Sequence, residues 1–169
     1  MNTKLIAVGI VLGFAAYPAA SFADTRAGGE GTITDITLDA VVDEATDIWE
    51  TLESEALTLT STSQCIVVAC SDVSNNSNTT TDNDYRFVIS LDDTSPGLNT
   101  TSERSIELSD NAGVDDPNTW PVCSTRALIS VPAGAHTIYW LGSRANAADV
   151  VTTVEDTSMT IGCFSGTDL

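Results

Sequence analysis

Positive charge is scarce in this 169-residue chain: one Lys, five Arg and one His stand against 24 acidic side chains, for a formal net charge of −18 at pH 7. A surface so acidic repels nucleic acid and anionic membranes, which excludes both as expected partners. Aromatic residues make up only 6% of the chain, too few for a broad stacking platform. Long apolar runs are absent after Ala16, so nothing later in the sequence is long enough to span a bilayer. The four Cys lack paired C-x-x-C knuckles, which argues against a structural zinc site. Neither H-E-x-x-H nor G-x-S-x-G occurs, and the lone His136 has no Ser or Cys nucleophile at a signature spacing. No catalytic residues are assigned on this basis, and the chain reads as non-enzymatic.

What is present begins with an export signal. "MNTKLIAVGIVLGFAAYPAASFADTR" has one Lys, an apolar stretch from Leu5 to Ala16, and small residues Ser21 and Ala23 where a signal peptidase reads. Residues 1–23 are therefore expected to be removed. A mature chain of 169 − 23 = 146 residues would carry five Arg, no Lys and all 24 acids. The expected location is secreted or cell-surface, by bacterial export, and 146 residues suffice for one two-layer domain.

The body reads as strands. "ALTLTST" alternates, with Leu57 and Leu59 on one face. "CIVVACSDV" is apolar on both faces, as in a central strand. "YRFVISLDD" aligns Phe87, Ile89 and Leu91, and "HTIYWLGS" aligns Ile138 with Trp140. "PVCSTRALISVP" groups Cys123, Thr125, Ala127, Ile129 and Val131; "SMTIGCF" groups Met159, Ile161 and Cys163. Period-two patterning separated by Asn-, Asp-, Ser- and Gly-rich turns predicts an all-β antiparallel sandwich over residues 48–169. The preceding segment, 24–47, fits two templates. Ile36, Leu38, Ala40 and Val42 suit a strand over 33–42. Leu38, Val41, Val42, Ala45, Ile48, Trp49 and Leu52 suit a helical stripe, with a short helix over 43–53. This segment is expected to be an arm or a strand segment, and an arm of this kind can complete a neighbour's sheet by strand addition.

Cys65, Cys70, Cys123 and Cys163, an even number after an export signal, are expected to form disulfides. In an extended "CIVVAC" the first and last Cα atoms lie roughly 17 Å apart, whereas a bridge needs them within about 7 Å. Cys65 with Cys70 is therefore disfavoured, and the other two pairings stay open.

In "SVPAGAHTIYWLG", Pro132 removes a backbone donor and ends a strand, Gly134 lets the chain reverse, and His136 enters the next strand as a structural residue. Loop carboxylates Asp82, Asp84, Asp92, Asp93, Asp110, Asp115 and Asp116 are candidate Ca²⁺ ligands, because that ion takes six to eight oxygens. Trp120, at a loop end, is the candidate contact for a carbohydrate ring.

"VPAGAHTIYWLGSRANAADVVTTVEDTSMTIGCF" resembles the C-terminal half of bacterial and phage-associated jelly-roll domains of the C1q/TNF-like type. A "PAG-x-HT" turn there joins two long strands, and a small-residue loop leads to a last strand reading "S-L/M-T-I/V". "TLTSTSQCIVVACSDVSN" and "YRFVISLDDTSPG" resemble the earlier strands, so the resemblance covers residues 48–165. It implies a jelly-roll sandwich that assembles with copies of itself and displays loops without catalysis. The expected function is a self-associating subunit of a surface structure, filament or adhesin. The alternative is a binding module for carbohydrate or Ca²⁺.

Overall fold

The computed structural model describes residues 25–30, 36–43, 46–74, 83–98, 102–108, 119–147, 149 and 151–165. The expected signal peptide, together with Asp82, Asp110, Asp115 and Asp116, lies outside them. Eleven strands are present among the described residues: β1 (Thr25–Glu30), β2 (Ile36–Leu38), β3 (Val42–Asp43), β4 (Thr46–Asp47), β5 (Glu50–Leu59), β6 (Ser63–Ser74), β7 (Asn83–Leu91), β8 (Arg104–Leu108), β9 (Thr119–Val131), β10 (Gly134–Arg144) and β11 (Thr152–Ser165). One sheet runs β1–β11–β6–β9, with β2 also paired to β11. A second runs β5–β10–β7–β8, β3 and β4 form a separate two-stranded pair, and all these pairings are antiparallel. From β5 onward the chain changes sheet at every connection except β7 to β8, which makes the protein a jelly-roll β-sandwich.

The alternation read from sequence decides what is buried. Val67, Val73, Tyr85, Phe87, Ile89, Ile138, Trp140, Met159 and Ile161 point between the sheets and are closed to solvent. Phe87 and Trp140 stack with ring centroids 5.6 Å apart. The Trp140 indole N–H donates to Ser71 Oγ at 2.9 Å, so the one polar atom of the largest core side chain is satisfied across the two layers. Gly142 is required for closeness: a Cβ there would lie 2.9 Å from Leu52 Cδ1 and 3.0 Å from Leu38 Cδ1.

Within residues 24–47, expected as an arm or a strand segment, the described part includes strands. β1 and β2 pair with β11 of the same chain, and Leu38 is fully buried in the core. Within the described residues there is no helix over 43–53; Thr46–Asp47 and Glu50–Leu59 are strands. The helical stripe fails because its members part company. Leu38 and Leu52 enter the core, Trp49 joins a separate cluster, and Ile48 is 56% exposed. β10 begins at Gly134, two residues before the expected entrance at His136.

Candidate functional site

The central strand β6 is covalently fastened on both flanks. Cys65 stands opposite Cys163 of β11 and bonds to it, with a Cα–Cα distance of 4.1 Å. Cys70 stands opposite Cys123 of β9 and bonds to it, also at 4.1 Å. Five residue steps are an odd number, so the two sulfurs leave β6 on opposite faces. The Cys65–Cys163 bridge is buried in the core, while Cys123 is exposed on the outer face. Among the pairings left open by sequence, register selects this one.

The same parity sends Ile66 and Val68 outward, 48% and 39% exposed. Register aligns them in rows with Gly162 and Ala127, and with Thr160 and Thr125. The next row holds Ser158 beside the Cys70–Cys123 bridge. At the other end the Phe164 ring stands beside Gly162, 3.8 Å from where a Cβ would be. No charged residue occupies an outward position from Gln64 to Cys70 on β6, from Cys123 to Ala127 on β9, or from Ser158 to Phe164 on β11. Arg126 belongs to the opposite parity, and its guanidinium donates to the Ile89 carbonyl of β7. Charge returns at Asp72 and Glu155, opposed to each other beyond the Cys70 row, and at the register positions of Arg26 and Glu30 on the edge strand β1. The outward Ile66 and Val68 were legible in "CIVVAC", whose apolar character ignores parity.

The outer face of the other sheet is treated differently. Trp49, Val88 and Leu141 form a second buried cluster there, with Leu98 and Tyr139 against it. The Trp49 indole donates to the Pro96 carbonyl at 2.9 Å, tying the segment before β5 to the loop after β7. Ser143 Oγ, also buried, donates to the Ala40 carbonyl at 3.0 Å. Arg144 fastens the same segment: Nη2 reaches Asp39 O at 2.7 Å and Asp39 Oδ1 at 2.9 Å, while Nη1 reaches Asp149 O at 2.7 Å. Nearby, burial pushes the Tyr85 phenol up to about 12, with the charge of Asp149 adding to the effect.

His136 is held on both ring nitrogens. Nδ1 lies 2.7 Å from Asp92 Oδ2, and Nε2 lies 3.0 Å from the Pro132 carbonyl. Asp92 Oδ1 accepts from Thr137 N at 2.7 Å, and Asp92 N donates to Thr137 O at 2.8 Å. Asp92 achieves this from a left-handed backbone, φ 55°. The Asp92 hydrogen bond holds the imidazole above its usual value, against a smaller opposing effect of burial. The same bond, followed by the Thr137 N–H, holds the Asp92 carboxyl below the usual carboxylate range. Because both nitrogens meet acceptors, the geometry suits a cationic, structural His136 rather than a proton-transfer base. Gly134 has a φ of 142°, a backbone conformation that side-chain-bearing residues rarely adopt. Sequence reasoning missed the Asp92 partner, which lies 44 residues away.

Of the proposed metal ligands, Asp92 is committed to His136 and Thr137, and Asp93 Oδ1 accepts from Ser95 N at 2.8 Å. Among the described residues, which include Asp84, no three potential ligands cluster. Trp120, on β9 opposite Val73, is 50% exposed. No helix among the described residues is long and apolar enough to cross a membrane.

No protein-family model matches the chain, and no curated protein matches it in sequence. Solved structures do resemble it. The VP2 subviral particle of infectious bursal disease virus aligns over 96% of this chain at 12% identity with a TM-score of 0.48. The Gx strain of that virus aligns over 97% at 12% identity, TM-score 0.47. This chain spans 38% and 39% of the length of those two. The EclA C-terminal domain, a sugar-binding protein, aligns over 78% of this chain and 80% of its own at 7% identity, TM-score 0.36. The jelly-roll assignment rests on this chain's own strand order.

Proposed function

We propose that this protein is a secreted, non-enzymatic structural subunit that associates with copies of itself in a surface structure, filament or adhesin. The observation that carries the reading is the uncharged outer face around Ile66 and Val68 in a chain of net charge −18. Exposed apolar area bounded by polar residues is what association surfaces offer. Two disulfides, each bridging adjacent strands, fit an oxidising location outside the cell and a subunit built for rigidity. The sandwich fold also suits the C1q/TNF-like resemblance of the 131–164 segment, and self-assembly is what that resemblance implies. Electron microscopy of the native secreted material tests the reading. Ordered polymers are the expected result; a protein that is monomeric at every concentration and in every secreted form overturns it.

A second reading, carbohydrate binding, is favoured by the half-exposed Trp120. Its stacking would appear as a saturable change in indole fluorescence on titration with oligosaccharide, lost in Trp120→Ala.

A further inference from the structure

Resting on the self-association reading, we infer that two copies of this chain stack through the outer face of the β1–β11–β6–β9 sheet, with their β6 strands antiparallel. The occupant follows from charge. A basic partner gains most by meeting the acids elsewhere on the molecule and nothing from the patch around Ile66 and Val68, which has none. An acidic partner is repelled elsewhere and tolerated here. With 24 acids against six cationic side chains, a second copy is such a partner. Ile66 and Val68 lie on the middle strand of the patch, so a two-fold axis through it brings the same side chains of both copies together.

The orientation also follows from charge. Asp72 and Glu155 stand opposed at one end of the patch, and Gln64 and Phe164 at the other. Parallel β6 strands would place the acids of both copies together. Antiparallel strands place the acid end of each copy against the uncharged end of its partner. The size of the contact is modest. Three strands about 4.8 Å apart and seven residues of about 3.3 Å give roughly 330 Å² of flat area per copy. That is small against the roughly 800 Å² per partner of a stable complex. The pair is therefore weak in isolation and accumulates where a second contact holds many copies together.

Sedimentation velocity on the mature, disulfide-intact protein tests this, using wild type, Val68→Asp, Val68→Lys and their equimolar mixture. Wild type is expected to dimerise reversibly between about 10 µM and 1 mM. Each variant alone should weaken the dimer about tenfold or more, and the mixture should recover it, because position 68 then faces its opposite charge. Thr125→Asp, in the same row, should act like Val68→Asp, and unchanged circular dichroism melting confirms that the variants remain folded. Self-association that persists undiminished in Val68→Asp and Thr125→Asp sinks this face while leaving the assembly reading intact. Loss in both single variants without recovery in the mixture overturns the face-to-face geometry. A wild type that stays monomeric to 1 mM in high salt overturns the face; the assembly reading falls only if the native secreted material also lacks polymers.

Discussion

The two outer faces of the sandwich solve the same problem in opposite ways. On the β5–β10–β7–β8 sheet, outward Val88 and Leu141 are roofed by Trp49 and by the loop that Trp49 holds through Pro96. On the β1–β11–β6–β9 sheet, outward Ile66 and Val68 have no such roof among the described residues and remain substantially exposed. Both sheets carry apolar residues on their outer sides, but only one spends chain length covering them. Apolar character in a strand therefore marks a face that needs a neighbour. Whether the neighbour is intramolecular depends on connections far from the strand itself.

Several measurements bear on this contrast. The bare face has a covalent bond where the other has a roof. Replacing Cys70 and Cys123 together by Ser should cost about 4 kcal/mol of unfolding free energy in chemical denaturation, from the loop they close. A much smaller loss would mean that strand pairing alone keeps that face firm. On the covered side, Trp49→Ala removes a buried indole and its bond to Pro96, and about 3 kcal/mol should disappear. Val68→Thr on the bare side should change stability by less than about 0.5 kcal/mol. Similar costs for the two would show that the faces are not different in the folded monomer. Between them, Gly142→Ala forces a methyl against Leu38 and Leu52 and should cost about 1–3 kcal/mol, read from the denaturation midpoint.

The smallest effect concerns pH. His136 is raised, so its contribution is complete below the ordinary imidazole value and fades as pH rises through the raised one. Asp92 is lowered, so its contribution is complete above the ordinary carboxylate value and fades as pH falls through the lowered one. The melting temperature of wild type should exceed that of His136→Gln most between about pH 4 and 6.5 and converge on either side. A pH-independent gap would show that the clasp acts through shape rather than charge.

Much of the architecture was legible in the sequence, for a definite reason. Alternation sets which side chains share a face, so Phe87 with Ile89, Ile138 with Trp140, and Met159 with Ile161 and Cys163 appear together in the core. The exclusion of a Cys65–Cys70 bridge rested on the reach of an extended chain. Legibility stopped where the deciding contact is remote. The segment from Leu38 to Leu52 satisfies a helical stripe equally well. Only the pairing of β2 with β11 and the burial of Trp49 on the far face separate the two. The left-handed backbone at Asp92, Ser130 and Asp156 left no composition signal, since none is Gly. The Asp92–His136 contact joins residues that no local pattern relates. Periodicity likewise showed that "CIVVAC" is apolar on both faces but not that one of them stays open.

The Cys65–Cys163 bridge has a mechanical consequence. A pull applied ahead of Cys65 and behind Cys163 is carried across the sulfur–sulfur bond, and the stretch between them, a sequence separation of 98, bears none of the load. Under traction only β1 to β5 and the few residues at each flank can pay out, while β6 to β11 keep their shape. A fibre of such links would stretch by a short, fixed increment per link and then stiffen.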